Sequence, residues 1–257
     1  MEKSKQQNNR CDFIKPKKWL IDPNEKINLI VIGCGGTGSQ VLQGLARMNY
    51  ALENLNHQGF HVTAFDSDIV TRANMGRQLF AESDLDHNKA AALISKINRY
   101  YGYDWEFRAE NFVMNHLSEY RKAIIFTCVD VVQIRHQISG HLKNFIHYSH
   151  GFDYYWMDFG NDKNSGQVVL GQYGILEKNT PYLKGIEHYG IAEKDDPETP
   201  SCSLAEALQK QDLMINTMVA NTGLTMLWQA FSKLKFDYNA SFINLKTMQI
   251  KSTLNYD

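Results

Sequence analysis

A glycine-rich loop between a buried strand and a helix constrains the fold of this chain more than any other feature. Residues 27–32 (INLIVI) are mostly apolar, as in a strand that is buried on both faces of a parallel sheet. The loop that follows matches G-x-G-x-x-G, and residues 36–49 carry apolar residues at helical spacing. Glycines in this context permit a tight turn and let the backbone approach phosphate groups at the helix N-terminus. The predicted nucleotide contacts in the loop are Gly33, Gly35, Gly36 and Gly38.

A second predicted strand, residues 61–65, ends at Asp66. An acidic residue at this position accepts hydrogen bonds from ribose hydroxyls in dinucleotide-binding folds. The order strand, glycine loop, helix, strand and acid therefore predicts a nucleotide site, with a glycine turn that binds nothing as the plainer alternative. The motif alone does not choose between NAD and ATP, because enzymes of both kinds carry this loop.

Strand and helix patterns alternate along the first half of the chain. Further strands are predicted at 105–108, 123–128 and 145–149, and helices at about 86–101 and 131–144. Such repetition predicts an α/β fold with a Rossmann-like, doubly wound, mostly parallel sheet. The later pattern predicts a strand at 167–173, a long loop at 175–203, a helix from Leu204 to about Lys233, and antiparallel C-terminal strands around 236–252.

We divide the chain into an N-terminal arm, residues 1–24, and one domain, residues 25–257. The arm is polar, and its Trp19-Leu20-Ile21 segment is expected to dock on the domain. The domain has a nucleotide-binding half at about 25–150 and a partner-binding half at about 151–257.

Composition excludes several classes of function. A net charge of −1 gives no basic field for nucleic acid, and no apolar stretch approaches the roughly 20 residues of a membrane helix. The polar N-terminus is not a secretory signal. Four cysteines lie far apart without a CxxC pair, so neither a disulfide framework nor a zinc site is expected. A reduced, cytoplasmic protein is the simplest interpretation.

Basic and amide side chains gather just after Asp66. They are Asn74, Arg77, Gln78 and Lys89. An NAD site has no use for such a group, whereas a triphosphate that is attacked at its α-phosphorus needs cations to offset developing charge. Taken singly, Arg77 and Lys89 are equally well explained as solvated surface charges.

The segment DSDIVTRANMGRQLF, followed by DHNKAA, resembles the D-x-D-x-V-x-x-x-N-x-x-R-Q signature of ThiF, MoeB and the ubiquitin-activating enzymes. The resemblance covers about residues 27–135. It implies ATP-dependent adenylation of a protein's C-terminal carboxylate, with Asp66 on the ribose. It also implies that Asn74, Arg77, Gln78 and Lys89 bind the phosphates and the substrate carboxylate.

Cys128-Val129-Asp130 resembles the family's C-x-D, whose acid approaches Mg²⁺-ATP, so Asp130 is the implied magnesium ligand. The family usually has Asn after this acid, where this chain has Val131. An N-cap of the following helix is the plainer role for Asp130.

The later residues resemble most closely the ThiF-like members of PRTRC plasmid systems, in segments 158–172 and 199–220. That resemblance implies a small ubiquitin-like protein as the partner. Bacterial relatives of this kind also imply a homodimer. The alternatives left open are an NAD(P)-dependent oxidoreductase and a non-catalytic nucleotide-binding scaffold of a plasmid-maintenance complex.

Cys202 lies in a predicted loop just before a helix. A helix N-terminus favours the thiolate, so Cys202 is a candidate to take over the activated acyl group as a thioester or acyl persulfide. A semi-buried structural cysteine is the alternative. His147 and His150 lack Cys or acidic partners at metal spacing and are taken as structural, and Tyr154-Tyr155-Trp156 is taken as packing.

Overall fold

Eight strands form one mixed sheet in the computed structural model of the protein, which describes residues 12–148, 151–174, 180–191 and 211–256. Within these ranges the strands are β1 (Ile27–Ile32), β2 (Phe60–Phe65), β3 (Glu106–Arg108), β4 (Lys122–Thr127), β5 (Asp153–Asn161), β6 (Ser165–Gly174), β7 (Ala240–Asn244) and β8 (Gln249–Thr253). The helices there are α1 (Lys18–Ile21), α2 (Gly36–Asn54), α3 (Lys89–Tyr101), α4 (Val132–Tyr148) and α5 (Ile215–Ser232).

The strand order is β3-β2-β1-β4-β5-β6-β7-β8. Strands β3, β2, β1, β4 and β5 pair in parallel, and β5 to β8 pair antiparallel. The predicted fold class, a mostly parallel Rossmann-like sheet with antiparallel C-terminal strands, is confirmed. From β1 the chain winds first to β2 on one side and later to β4 on the other. Ligands of such sheets bind outside the carboxyl ends of the strands at this switch point.

Helices cover both faces of the sheet, which explains why β1 is apolar almost throughout. Leu29 and Val31 pack in one core with residues of α2, α3 and α5. Ile30 and Ile32 pack on the other face in a second core, which includes Ile138 of α4. Successive side chains of a strand point to opposite faces, so both sets must be apolar.

The predicted strand at 145–149 is wrong, because α4 continues to Tyr148. A short apolar and aromatic run does not by itself distinguish a strand from the end of a buried helix. The strand of this region is β5, and Tyr154, Tyr155 and Trp156 at its centre are almost completely buried. The interpretation of these three rings as packing is confirmed. His147 lies within α4, and His150 lies outside the described residues.

The helix predicted from Leu204 begins, within the described residues, at Ile215. Residues 211–214 form a bend and a turn instead. There the Asp212 amide donates to Lys163 O at 2.8 Å and the Asp212 carboxylate accepts the Met214 amide at 2.8 Å, which takes the backbone out of the helical pattern. Residues 204–210 lie outside the described ranges. Of the predicted loop at 175–203 the structure describes 180–191, which is irregular apart from a short turn at Ile186–His188.

The described part of the N-terminal arm packs on the domain. Ile14 exchanges backbone hydrogen bonds with Phe236, and Trp19 and Leu20 are buried, which confirms the expected docking. The Trp19 Nε1 donates to the buried Asp153 carboxylate at 3.0 Å, which also pairs with Lys17. Among the described residues, no helix is long and apolar enough to span a membrane.

Candidate functional site

A cleft of about 940 Å³ opens at the carboxyl ends of β1, β2 and β4, at the switch point of the sheet. Its lining includes most of the residues that the sequence predicts to bind nucleotide. They are Gly33, Gly35, Gly36, Asp66, Asn74, Arg77, Gln78, Lys89 and Asp130. Folding therefore brings the glycine loop, the acid and both cations to one place.

The glycines of the loop serve different purposes. Gly33 has φ +90°, a left-handed conformation that favours glycine, and a Cβ there would lie 2.6 Å from Val129. A Cβ on Gly38 would overlap the carbonyl oxygen of Gly33, so the turn itself requires glycine at both positions. A Cβ on Gly35 would meet only the Gln78 amide, at 4.0 Å. Gly35 thus leaves open space toward the cleft, where a phosphate needs close approach to the backbone.

Asp66 is oriented by two backbone amides at the end of β2. Its Oδ2 accepts the Cys34 N–H at 2.6 Å, and its Oδ1 accepts the Asp68 N–H at 2.8 Å. Burial raises the pKa of the Asp66 carboxyl above its ordinary value, although both backbone hydrogen bonds favour the ionised form. The carboxylate is therefore held rigidly beside the glycine loop, in the position predicted for a ribose acceptor.

Lys89 begins α3 and points into the cleft. It is only 8% exposed, and its Nζ pairs with Asp68 at 2.7 Å. The loop before it is fixed by Asn88, whose Nδ2 donates to the backbone oxygens of Asp66 and Asp68 and whose Oδ1 caps α3 at Ala91. A nearly buried ammonium beside an exposed carboxylate is a cation that a phosphate can recruit.

Arg77 and Gln78 also line the cleft. The Arg77 Nη1 donates to Gln211 Oε1 at 2.5 Å, whereas its buried Nε has no hydrogen-bond partner among the described residues. Gln78 is 7% exposed, and its Oε1 is likewise without a partner there. Buried polar atoms are rarely left unpaired in folded proteins, so both side chains suit a wall that contacts a polar ligand.

Asn74 also lines the cleft but has a structural task as well. Its Oδ1 accepts the Thr71 amide at 2.8 Å and the Thr71 hydroxyl at 3.0 Å, which closes the short turn at Arg72–Asn74. Asp130 is exposed where the cleft meets a second groove, and Val131 beside it is exposed too. The phosphate and magnesium roles of these residues remain predictions.

A groove of about 810 Å³ adjoins the cleft and shares Arg77, Asp130 and Gln211 with it. Its walls come mainly from β5 to β8 and the loops between them. At its floor the Arg135 Nε donates to the buried Asp158 carboxylate at 2.8 Å. Burial raises the pKa of Asp158, although Arg135 opposes this effect. The groove thus runs from the nucleotide cleft into the predicted partner-binding half.

Two cysteines border the glycine loop, and neither suits a nucleophile. Burial raises the pKa of both the Cys34 and the Cys128 thiols, which keeps them protonated at neutral pH. Cys202, the predicted nucleophile, lies outside the described residues. Those residues contain no group of three or more His, Cys, Asp or Glu side chains placed to hold a metal ion.

Sequence reasoning missed Asn216 and Gln211, which reach the cleft from the far half of the chain. Asn216 is 2% exposed directly beneath the glycine loop. One sequence signal for Asn216 was available. It is a polar residue between the apolar Ile215 and Val219, in a helix that is otherwise rich in apolar residues. Gln211 gave no such signal, because nothing in its neighbourhood distinguishes it from a surface glutamine.

The model of the ThiF family matches residues 23–255 of this chain. A curated relative, the ATP-dependent ubiquitin transferase-like protein Cap2 of Enterobacter hormaechei subsp. hoffmannii (strain UCI 50), is 25% identical over 93 residues. That match covers 36% of this chain and only 14% of Cap2.

Solved structures share the fold at low sequence identity. The crystal structure of PaaA matches with a TM-score of 0.61 and 12% identity, over 91% of this chain and 66% of PaaA. E. coli MccB with ATP matches with a TM-score of 0.60 and 16% identity, over 92% of this chain and 66% of MccB. MccB in complex with N-formylated MccA has a TM-score of 0.57 and 16% identity, over 92% of this chain and 67% of that chain.

Proposed function

This chain belongs to the ThiF family, and on that premise we propose that it uses ATP to adenylate the C-terminal carboxylate of a small protein partner. The observation that carries the proposal is the meeting of the glycine loop, Asp66, Arg77 and Lys89 in one cleft. NAD would offer the two cations only a diphosphate that is not attacked. The triphosphate of ATP carries more negative charge and develops further charge on attack at the α-phosphorus, which two cations can offset.

The cleft suggests how ATP lies. The ribose faces the Asp66 carboxylate, and the phosphates lie along the glycine loop at the N-terminus of α2, where unpaired amides and the helix dipole favour anions. Lys89 and Arg77, which both line the cleft, would contact the phosphates. Mg²⁺ usually binds through one or two carboxylates together with substrate phosphates, and the exposed Asp130 suits that donor set. The ion would neutralise phosphate charge.

The reaction needs little acid–base chemistry. An oxygen of the partner's C-terminal carboxylate attacks the α-phosphorus, the bond from that phosphorus to the bridging oxygen of the β-phosphate breaks, and pyrophosphate leaves with the electron pair. The product is an acyl-adenylate. Because nucleophile and electrophile are both anionic, the chain's task is to hold them together and offset their repulsion, which suits Arg77 and Lys89.

The groove beside the cleft suits the partner's tail. It meets the nucleotide cleft at Arg77 and Asp130, where an entering carboxylate would reach the α-phosphate. Its lining includes residues 165–167 of β6 and residues 242–244 of β7. We propose a small ubiquitin-like protein as the partner, in keeping with the similarity to Cap2, an ATP-dependent ubiquitin transferase-like protein, and to MccB in complex with N-formylated MccA. A homodimer stays a prediction.

Pyrophosphate exchange tests this proposal directly. The purified chain is incubated with ATP, Mg²⁺, labelled pyrophosphate and each candidate small protein, and label incorporation into ATP is followed. We expect exchange that depends on the partner and disappears when its last two residues are deleted. Exchange that persists with the truncated partner would contradict carboxylate activation. Absence of exchange with every candidate, together with tight ATP binding, would favour the nucleotide-binding scaffold.

A further inference from the structure

A buried chain of hydrogen bonds joins α5 to the floor of the nucleotide cleft. The Oδ1 of Asn216 accepts from the Thr37 hydroxyl at 3.0 Å and from the Asn161 amide at 2.6 Å. The Nδ2 of Asn216 donates to Gln211 Oε1 at 3.0 Å. That same oxygen accepts from the Arg77 Nη1 at 2.5 Å. This series of hydrogen bonds thus connects the glycine loop with Arg77 in the cleft lining.

Arg77 determines which group donates and which accepts in each hydrogen bond of this network. A guanidinium has donors and no acceptor, so Gln211 must turn its Oε1, and not its amide nitrogen, toward Arg77. The same oxygen receives the Nδ2 of Asn216, which leaves the Asn216 Oδ1 for Thr37 and Asn161. Neither amide can flip without placing two donors or two acceptors against each other. The network therefore has one arrangement that satisfies these groups.

The glycine loop rests on the Asn216 carboxamide. A Cβ on Gly36 would lie 2.7 Å from the Cγ and the Nδ2 of Asn216, so backbone and carboxamide are in direct contact. Thr37, the next residue, is buried and bonded to the same carboxamide. Gly36 and Thr37 of the loop therefore follow any displacement of Asn216. No hydrogen bond of this network reaches Asp66, whose partners are the Asp68 amide and the Cys34 amide, two residues before the Gly36 contact.

We infer that Asn216 is a positioning residue of the nucleotide cleft, holding the glycine loop from below and, through Gln211, the Arg77 guanidinium from the side. The inference rests on the proposed function, because it assigns both contacts to the phosphate part of an ATP site. It makes binding of the triphosphate, but not of the nucleoside, depend on a residue of the partner-binding half. A merely structural asparagine would not distinguish these ligands.

The test compares the affinities of ATP with Mg²⁺ and of adenosine, measured by calorimetry on the full chain. Asn216→Ala should weaken ATP binding about ten-fold, the order expected for losing one or two buried hydrogen bonds, and change adenosine binding less than two-fold. Gln211→Leu should weaken ATP binding about three-fold, because Arg77 and the Asn216 Nδ2 lose their shared acceptor while the contacts of Asn216 with Gly36 and Thr37 remain. Asn98→Ala is the matched control, since Asn98 bonds the Trp105 backbone away from the cleft and should alter neither affinity.

Hydrogen exchange on the ligand-free protein gives an independent readout. The amides of residues 33–38 should exchange faster in Asn216→Ala than in the wild type. In Asn98→Ala their exchange rates should equal those of the wild type. Equal weakening of ATP and adenosine, or unchanged loop exchange, would overturn the inference. Should the wild type bind no ATP at all, the proposed function fails, and loop exchange still decides whether Asn216 holds the loop. If Asn216→Ala does not fold, Gln211→Leu carries the ligand comparison.

Discussion

In the predicted nucleotide-binding half, contacts between residues 32 and 21 positions apart in sequence hold the site: the Cys34 amide fixes Asp66, and Asp68 pairs with Lys89. In the partner-binding half, Gln211 reaches its partner Arg77 across 134 positions of sequence. The first half places the groups that we propose to contact the nucleotide, whereas the second half supplies Gln211 and Asn216 beside them and most of the adjoining groove. Substitutions in the first half should therefore affect chemistry directly, and substitutions in the second should act through other residues.

The largest effect is expected from Lys89→Met. Removing a preorganised cation from a partly dry site typically lowers a rate by about 10²–10³-fold, and pyrophosphate exchange should fall by this order. Lys96→Met is the matched control, because Lys96 lies on the same helix but pairs with Asp84 at 2.6 Å, away from the cleft lining. If the two variants lose activity equally, the first half does not carry the chemistry as proposed.

Two glycines of the loop allow a comparison between an effect on stability, expected at Gly38, and an effect on ATP binding, expected at Gly35. In Gly38→Ala the new Cβ overlaps the Gly33 carbonyl, and we expect the free energy of unfolding to drop by about 3 kcal/mol. In Gly35→Ala the Cβ meets no atom closer than 4.0 Å, so stability should change by less than about 1 kcal/mol while ATP binding weakens. Urea unfolding and calorimetry measure the two quantities. A stable Gly38→Ala protein would contradict the structural role of this glycine.

The local site of the first half was predictable from sequence because its signals are local. Glycine spacing, a buried strand on each side and Asp66 at a strand end each have a physical meaning within a few residues. The parallel sheet then follows, because a helix between two strands returns the chain to the end of the sheet where the first strand began, so the next strand runs in the same direction. Arg77 and Lys89 were recognisable by their charge, although only the fold brings them into the lining of one cleft.

The second half was harder to predict for reasons of chemistry rather than length. At the end of the first half, Phe145 and Ile146 already suit a strand or a helix equally well, and only the continuation of α4 decides between them. The roles of Asn216 and Gln211 depend on contacts with residues far away in the chain. The local sequence around them does not predict that they contact Thr37 and Arg77. Contacts of this kind become visible only once the fold is known.

Thermal stabilisation by ATP or by NADH distinguishes the proposed adenylating enzyme from the alternative NAD(P)-dependent oxidoreductase. With ATP and Mg²⁺ at about 100 times the dissociation constant, the folded state gains about 2.7 kcal/mol, and the melting temperature should rise accordingly. NADH should produce a smaller shift, because its diphosphate offers the cations less negative charge than the triphosphate of ATP and has no γ-phosphate. A clear shift with NADH and none with ATP would overturn the assignment of the cleft.

A smaller effect is expected from Asp130→Asn. If Asp130 helps to hold Mg²⁺, the variant should fold normally, bind ATP nearly as well and exchange pyrophosphate about ten-fold more slowly, with a higher magnesium requirement. Asparagine caps helices about as well as aspartate, so a role limited to capping α4 would leave exchange unchanged. A magnesium titration of both proteins therefore distinguishes the two roles.

No effect on adenylation is expected from Cys202→Ala. The adenylate step as proposed uses the glycine loop, Asp66, Arg77, Lys89 and Asp130 and requires no thiol, so partner-dependent exchange should persist at the wild-type rate. If Cys202 takes over the acyl group, the wild type should form a covalent complex with the partner that thiols release, and the variant should not.

A non-reducing gel after incubation with ATP and the partner compares the two proteins. Cys128→Ala serves as the control, because burial raises the pKa of the Cys128 thiol, and this variant should keep the adduct. Absence of an adduct in the wild type would make Cys202 structural and leave the adenylate to another acceptor. Loss of exchange in folded Cys202→Ala would instead mean that the partner-binding half takes part in the first chemical step, which would abolish the proposed division between the two halves.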